Sequence, residues 1–328
     1  MKKQITTGIF AAICSLSFMT FSCKTDSETI KLQPGSQAEF QALRDKALAS
    51  LIQTKTFKAE EGITFTSNKG AKVTIQPNCL TDENFVHTTG EVKLSFVEMY
   101  DKGDMVVTNK PVMGLDYNGD KLPLVTGGQY NIEITQGNKK LRTGCIFNVS
   151  IPAKNTGELD ENMVLWKGNI NENGDMEWEN EVREAGDKEE GMQGNKETST
   201  YNVWGSSFGW TNVDRFYSDT RPKTRIKVTV PTGYSNKNSA VYLAYEGQRN
   251  VLAQLDTYDL DEKYFSEHYG FIPVGLKVHV IFVSESNGSV VYAIKPVTIA
   301  NNSTIQINDN DLDTGSLSQV ITRINTLN

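Results

Sequence analysis

Alternation of apolar and polar residues with a period of two is the feature that most constrains this chain of 328 residues. From Gly62 onwards, short alternating stretches, Met105–Thr108 among them, are separated by turn signals such as Asn-Gly and Gly-Gly. Successive side chains of a strand point to opposite faces, so each stretch predicts a strand with one buried face. The sequence therefore predicts an all-β protein built from antiparallel β-sandwich-like domains. No run of alternating strands and helices is visible, which argues against dinucleotide-binding and P-loop folds.

An acidic stretch divides the alternating pattern into two regions. The first β-sandwich domain is predicted over 55–178 and the second over 201–307. Residues 179–200 are acidic and almost without apolar side chains, which is typical of a linker or a long loop. Asn287-Gly288 is the strongest hairpin signal in the second region.

Short helices are predicted near both ends of the mature chain. Ser36 and Glu39 have the spacing of a capping box, and apolar residues at helical spacing follow them, so a helix is expected within 36–54. A second short helix is predicted within the C-terminal tail, 308–328, where apolar residues again have helical spacing.

The N-terminus has the pattern of an export signal. Two lysines precede an uncharged, mainly apolar run that is short for a membrane-spanning helix and ends at Ser22-Cys23. A small residue before a cysteine resembles a bacterial lipobox, which implies removal of a signal peptide, 1–22, and lipidation of Cys23. The common lipobox has Leu where this chain has Thr20. An ordinary secretory signal with a coincidental cysteine is the alternative.

The lipobox resemblance sets the expected location and partners. Residues 23–35 would be a flexible tether behind the lipid on Cys23. Removal of 1–22 takes away two lysines and no acid, so the net charge changes from −7 to −9. Such a chain does not fit nucleic acid or an anionic lipid surface, since both need basic patches.

The expected partners are therefore the membrane, through the lipid anchor, and an unknown envelope protein or glycan. No cofactor is expected. The predicted location is the outer membrane, with the protein displayed at the cell surface or, alternatively, on the periplasmic face.

Cys79 and Cys145 are the two thiols that would remain after Cys23 is used. In an oxidising envelope compartment they could form one disulfide or stay as two buried thiols, and the sequence leaves both possibilities open. Neither pairs with His87, His268 or His279 at the spacing of metal ligands, so no zinc site is predicted.

Gly205-Ser206-Ser207-Phe208-Gly209 matches the Gly-x-Ser-x-Gly motif of hydrolases, and Asp256 and His268 follow it in the order of a catalytic triad. The motif requires Ser207 on a strained turn between a strand and a helix. The residues after Gly209 have no helical pattern, so a turn between two strands and a non-enzymatic protein are predicted. A secreted serine hydrolase using Ser207 is the alternative function.

Two oxygen-rich stretches have some of the features of calcium sites. Asp116–Asp120 begins like a calcium loop, but Lys121 and Gly127 occupy the positions that require Gly and Glu, so a β-turn is predicted. Asn308–Asp313 is richer in oxygen ligands and gives a third interpretation, a calcium-stabilised adhesin.

The densest aromatic group of the sequence comprises Trp204, Trp210, Phe216 and Tyr217. If exposed, these side chains could bind a sugar or a peptide, because aromatic rings supply a large contact area. If buried, they would form the core of the junction between the two domains, which is the favoured interpretation because large aromatic side chains are usually buried.

Three features of residues 62–155 point to a known module: Gly62-Ile63-Thr64-Phe65, the stretch Gly70–Asn78, and the acidic-x-Tyr step Glu98-Met99-Tyr100. This region resembles a module of surface lipoproteins from Bacteroidetes-type bacteria and, more distantly, the ZU5 β-sandwich. Phe208–Tyr217 also resembles a block that recurs in such lipoproteins. The resemblance implies surface display and a structural or recognition role without active-site residues.

Overall fold

The computed structural model describes residue 1 and residues 32–171, 174–180, 190–268 and 270–327. The predicted signal peptide, Cys23 and the tether up to residue 31 lie outside the described residues. Strands dominate the described chain, and three α-helices accompany them, so the predicted all-β fold with short helices towards both ends is confirmed.

Fifteen strands form a first group of sheets. In chain order they are β1 Gln53–Lys58, β2 Ile63–Thr66, β3 Lys72–Ile75, β4 Leu80–Thr81, β5 Glu91–Met99, β6 Met113–Leu115, β7 Lys121–Gln136, β8 Lys139–Lys140, β9 Arg142–Thr143, β10 Phe147–Pro152, β11 Val164–Ile170, β12 Met176–Asn180, β13 Gly191–Asn195, β14 Thr200–Gly205 and β15 Gly209–Phe216.

Two large sheets face each other in this group. Sheet I has the order β1-β5-β7-β15-β11-β12-β6, with β8 beside β7, and sheet II has the order β13-β14-β10-β3-β2. Val73 and Val149 of sheet II pack in one apolar core with Phe96 and Ile132 of sheet I. The two sheets are therefore the layers of a β-sandwich, and each keeps one face on the shared core.

Eleven strands form a second group, and a five-stranded sheet with the order β19-β18-β23-β24-β26 is its largest part. The hairpin between β23 and β24 turns at Asn287-Gly288, both at positive φ, as predicted. The strands are β16 Lys223–Thr224, β17 Lys227–Thr229, β18 Ser239–Tyr245, β19 Leu252–Gln254, β20 Thr257–Asp259, β21 Tyr264–Ser266, β22 Ile272–Pro273, β23 Lys277–Ser286, β24 Ser289–Thr298, β25 Thr304–Gln306 and β26 Asp313–Gly315.

Strand pairing divides the described chain after residue 216, whereas the sequence pattern placed the division at 179–200. β13, expected to be linker, pairs with β14, and β15, expected in the second domain, lies between β7 and β11. The composition of residues 191–195 predicts a linker, but an edge strand such as β13 needs few apolar side chains, so a polar composition does not exclude a strand. Residues 181–189 of the predicted linker lie outside the described residues.

The two groups of sheets are joined closely. The amide of Val112 donates to the Leu252 carbonyl and that of Thr126 to the Asn250 carbonyl, each at 3.2 Å. Apolar side chains of both groups share the same core clusters, and residues from Leu32 onwards form one compact unit.

Three α-helices cover this unit: α1 Gln37–Leu51, α2 Lys102–Thr108 and α3 Leu317–Asn325. The predicted capping box of α1 is present, because Ser36 accepts from the Glu39 amide and Glu39 accepts from the Ser36 amide. Helix α2 replaces the strand expected at Met105–Thr108 and is buried along its whole length.

Candidate binding face on the five-stranded sheet

Cys79 and Cys145 form a disulfide bond, with their Cα atoms 5.3 Å apart. The bond lies beside the short ribbon in which β4 pairs with β9. Of the two states that the sequence left open, the structure has the disulfide. This disulfide therefore cross-links two segments of the first group of sheets.

Ser207 lies in the turn between β14 and β15, where its hydroxyl donates to Glu190 Oε1 at 3.0 Å. Ser206 donates to the same oxygen at 2.6 Å, and Lys167 Nζ lies 3.0 Å from Glu190 Oε2. Burial raises the pKa of Glu190, but hydrogen bonds from Ser206 and Lys167 outweigh burial and lower the pKa to about 2. A carboxylate with so low a pKa is a poor general base at neutral pH.

The other two residues of the hypothetical triad do meet. His268 Nδ1 lies 3.2 Å from Asp256 Oδ1, and Lys121 Nζ lies 3.1 Å from Asp256 Oδ2. Lys121 lies in β7, Asp256 follows β19 and His268 follows β21, so these three residues form one charged cluster. The Ser207 hydroxyl is bonded to Glu190 instead. Among the described contacts, the Ser207 hydroxyl therefore meets Glu190 and Lys167, at 3.0 and 3.3 Å, and His268 meets Asp256.

The two candidate calcium stretches use their carboxylates to hold backbone amides. Asp116 Oδ1 accepts from the amides of Asn118 and Asp120, at 2.8 and 2.9 Å. Asp311 accepts from the Asn308 amide at 2.8 Å and lies 3.5 Å from Lys295 Nζ. Within the described ranges, no group of three or more acidic, histidine or cysteine side chains is arranged to hold a metal ion.

The four aromatic residues separate into two environments. Trp210 and Phe216 pack against the second core cluster, which is the one that contains Trp166 and Trp178. Phe216 meets Trp166 edge-on, with ring centroids 5.1 Å apart. Tyr217 meets Tyr245 of β18 in the same manner at 5.1 Å, so it bridges the two groups of sheets. Trp204 points away from the core of the sandwich, from the opposite face of sheet II.

The alternation within sheet II explains where Trp204 points. Tyr201 and Val203 of β14 are buried, so their neighbours Thr200, Asn202 and Trp204 project from the other side of the strand. Paired residues on adjacent strands point to the same side, so the register places ten side-chain positions in two rows across the sheet. The first row is Gly191, Trp204, Asn148, Thr74 and Thr64, and the second is Gln193, Asn202, Ser150, Lys72 and Thr66.

These two rows, which we call the outer face, are almost uncharged. Charged residues make up 22% of the chain, yet Lys72 is the single ionised side chain among the ten positions. Amides and hydroxyls occupy most of the other positions. A solvated sheet face is ordinarily polar, but this one combines polarity with the near absence of charge and a large aromatic ring.

The Trp204 indole rests on Gly191 of the edge strand. A Cβ atom at Gly191 would lie 2.5 Å from Cζ2 and 2.9 Å from Cε2 of the indole, which is closer than real contacts allow. Glycine at this position therefore lets the ring lie over the backbone of β13. Trp204 is half-buried, so part of the ring remains open to solvent.

Several hydrogen-bonding groups of the outer face are unoccupied. The side chains of Asn148, Ser150, Gln193 and Lys72 form no hydrogen bond with another described residue. Asn202 accepts from Thr200 Oγ1 at 3.2 Å through Oδ1, which leaves its NH₂ group available. The face therefore presents both donors and acceptors to solvent.

A groove of about 530 Å³ runs beside the second row. Lys72, Ser150, Lys154, Thr200 and Asn202 are among the residues that line it. The groove ends two residues along β14 from Trp204, which is roughly 7 Å in a strand. Ring and groove are thus close enough for one extended ligand to touch both.

A larger depression, about 730 Å³, lies in the second group of sheets, beside the end of α3. Its charged residues are already paired: Arg221 with Asp219 at 2.6 Å, and Lys277 with Glu246 at 3.6 Å. On the outer face, Asn148, Ser150, Gln193 and Lys72 have no such partner among the described residues, so this face is the better candidate for a binding site.

No protein-family model matches this chain, and no curated protein matches it either. In the described ranges, no helix is both long and apolar enough to cross a membrane. The sequence flagged Trp204 only as one of four aromatics. The alternation with Tyr201 and Val203 could have shown that Trp204 points away from the core. The residues that lie beside Trp204 on the neighbouring strands could not have been identified in this way.

Proposed function

We propose that this protein is a non-enzymatic lipoprotein of the bacterial outer membrane, displayed at the cell surface, that recognises a ligand through the outer face. The observation that carries the proposal is the half-exposed Trp204 ring set among unoccupied amide and hydroxyl groups. In this proposal the first group of sheets is the ZU5-like module of a Bacteroidetes-type surface lipoprotein.

The geometry of the face suits recognition. Its side chains project from paired strands instead of a mobile loop, and rigid elements hold binding groups more accurately than loops do. An aromatic ring supplies contact area with little loss of conformational entropy, and nearby polar groups fix the orientation of the ligand.

The expected location is supported by features distant from the face. The Ser22-Cys23 pattern at the end of an export signal favours a lipid anchor, and the disulfide between Cys79 and Cys145 fits an oxidising compartment. A periplasmic orientation would leave the binding proposal intact and change only the ligands within reach.

The absence of catalysis in the proposal rests on Ser207. Its hydroxyl donates to Glu190, whose pKa is low, and the segment after it is strand β15 instead of a helix. Neither feature is that of a nucleophile elbow.

Binding of the full-length lipidated protein to envelope preparations of its own bacterium tests the proposal. We expect Trp204→Ala to weaken binding about tenfold or more, as is usual when an aromatic anchor is truncated. Tyr117→Ala, which removes a fully exposed ring from a turn far along the chain, is the control and should bind like the wild type. Equal binding by wild type and Trp204→Ala would refute the proposed site.

A further inference from the structure

We infer that the ligand of the outer face is an uncharged glycan, bound across the strands with one sugar ring stacked on Trp204. This inference rests on the proposed function and names the class of ligand that the face is built to take. The ring, the polar groups, the charge and the dimensions of the face support it.

The ring offers a flat apolar platform. The Trp204 indole covers Gly191, and part of its surface is open to solvent. A sugar ring has one side formed mainly by C–H groups, which gains contact area against an aromatic ring while its hydroxyls stay at the rim.

The polar groups match hydroxyls. A sugar hydroxyl both donates and accepts hydrogen bonds, and so do the amides of Asn148 and Gln193 and the hydroxyl of Ser150. These side chains flank Trp204 in the two rows and have no hydrogen bond to another described residue.

The charge of the face selects against anions. Recognition of phosphate, sulfate or carboxylate groups uses clustered Arg and Lys. Lys72 is the one charged residue among the ten positions of the outer face, and Lys154 is a second lysine that lines the groove. The ligand is therefore an uncharged saccharide.

The dimensions of the face favour an oligosaccharide over a single sugar. Five strands spaced at about 4.8 Å give a row of roughly 19 Å. Trp204 lies near one end of its row, on the second strand, and the polar positions continue to Thr64 on the fifth. A chain of several sugars could lie across the strands and also reach the groove.

The experiment compares envelope material treated with periodate, which cleaves the vicinal diols of glycans, and material treated with protease. We expect binding of the full-length protein to survive the protease and to fall about tenfold or more after periodate. Binding that is lost to protease and resists periodate would overturn the glycan assignment while leaving the recognition proposal standing.

Two glycines of β13 provide a matched pair of variants. Gly191→Ala places a methyl group where the Trp204 ring lies, so it should displace the ring and weaken binding about tenfold. Gly194→Ala adds the same methyl group to the same strand, where its nearest contact is Leu159 at 3.5 Å, an ordinary distance. Gly194→Ala should bind like the wild type, and thermal unfolding of both variants checks that they fold.

The salt dependence of binding distinguishes an uncharged glycan from an acidic one. Binding of the wild type should change by less than about threefold when the salt concentration rises from about 50 to about 500 mM, because a neutral ligand makes no ion pair that salt could screen. A loss of about tenfold or more over this range would overturn the assignment in favour of an anionic ligand. If neither Gly191→Ala nor Trp204→Ala affects binding, the outer face is not the site and both proposals fail.

Discussion

Tyr100 Oη donates a hydrogen bond to Glu98 Oε2 at 3.0 Å, and both side chains are buried in sheet I. The same carboxylate accepts from Ser67 Oγ at 2.8 Å and from the Lys69 amide at 2.9 Å. The acidic-x-Tyr step noted in the sequence thus holds the turn between β2 and β3. Burial is the largest cause that raises the pKa of Tyr100, and the Glu98 charge raises it further.

The first prediction concerns this carboxylate. Glu98→Gln should lower the free energy of unfolding by about 1.5–3 kcal/mol, because an amide cannot accept from all these donors at both of its ends. Urea denaturation measures the change. Glu91→Gln, on the exposed side of the same strand, is the control and should stay within about 0.5 kcal/mol of the wild type. Equal stability of the two variants would contradict the structural role of Glu98.

Lipidation is the second prediction. Labelled palmitate should enter the wild-type protein and should not enter Cys23→Ser, since Cys23 is the residue that the signal pattern places at the cleavage point. Cys14→Ser, which alters a cysteine inside the signal, should still be labelled. Label in Cys23→Ser would mean that the anchor has been assigned to the wrong residue.

The third prediction concerns the disulfide. Cys79 and Cys145 are 66 residues apart, so the loss of their bond should lower the free energy of unfolding by about 2–4 kcal/mol, mainly by freeing the unfolded chain. Unfolding of Cys79→Ser/Cys145→Ser in urea measures this cost. Thiol labelling of the unreduced, denatured wild type should detect neither cysteine, and labelling of both would contradict the bond.

The fourth prediction is a pH dependence that arises from Glu190. Its folded pKa, about 2, is lower than the ordinary 4.5, so its ionised form stabilises the fold above pH 4.5. This contribution should be lost as the pH falls from 4.5 towards 2. The difference in unfolding free energy between wild type and Glu190→Gln should therefore be larger at pH 7 than near pH 2. A difference that is constant over this range would show that the carboxylate charge contributes nothing.

The same site provides a test of catalysis. A fluorophosphonate probe should not label Ser207 in the folded protein, and Ser207→Ala should change no hydrolytic activity, because its hydroxyl donates to a weakly basic carboxylate. Stoichiometric labelling that disappears in Ser207→Ala would instead support the serine hydrolase.

The fifth prediction separates the two tryptophans. Trp210→Ala should lower the free energy of unfolding by about 3 kcal/mol, because its ring packs on the second core cluster. Trp204→Ala should cost less than about 1 kcal/mol, since its ring lies on the outside of the sandwich. Thermal and urea unfolding give both values. A larger loss of stability for Trp204→Ala than for Trp210→Ala would contradict the assignment of Trp210 to the core and of Trp204 to the outer face.

The sequence predicts much of the fold because alternation and turn chemistry are local. Asn287-Gly288 and the Ser36 capping box could be recognised from a few neighbouring residues, and the structure has both. The sequence predicts a strand in place of helix α2 because α2 is buried on all sides. Its residues therefore lack the one-sided apolar pattern that normally identifies a helix. Strand β13 is predicted as linker because a strand at the edge of a sheet needs few apolar residues.

The candidate site was harder to predict than the fold. Trp204 and Trp210 are six residues apart and similar in context, yet the chain changes from sheet II to sheet I between them. Which face a side chain occupies depends on that change of sheet. Asn148 approaches Trp204 through the pairing of β10 with β14, which are distant in the chain, and Gln193 approaches it through β13, whose sequence does not show a strand pattern. Local patterns contain no record of such pairings.

The position of β15 between β7 and β11 has a consequence for the order of assembly. Until residues 209–216 have been synthesised, sheet I has a gap in its middle, and β7 and β11 each present an unpaired edge. Such edges invite association with other chains. The chain therefore has to stay unfolded, or be shielded, until nearly two thirds of it has been synthesised.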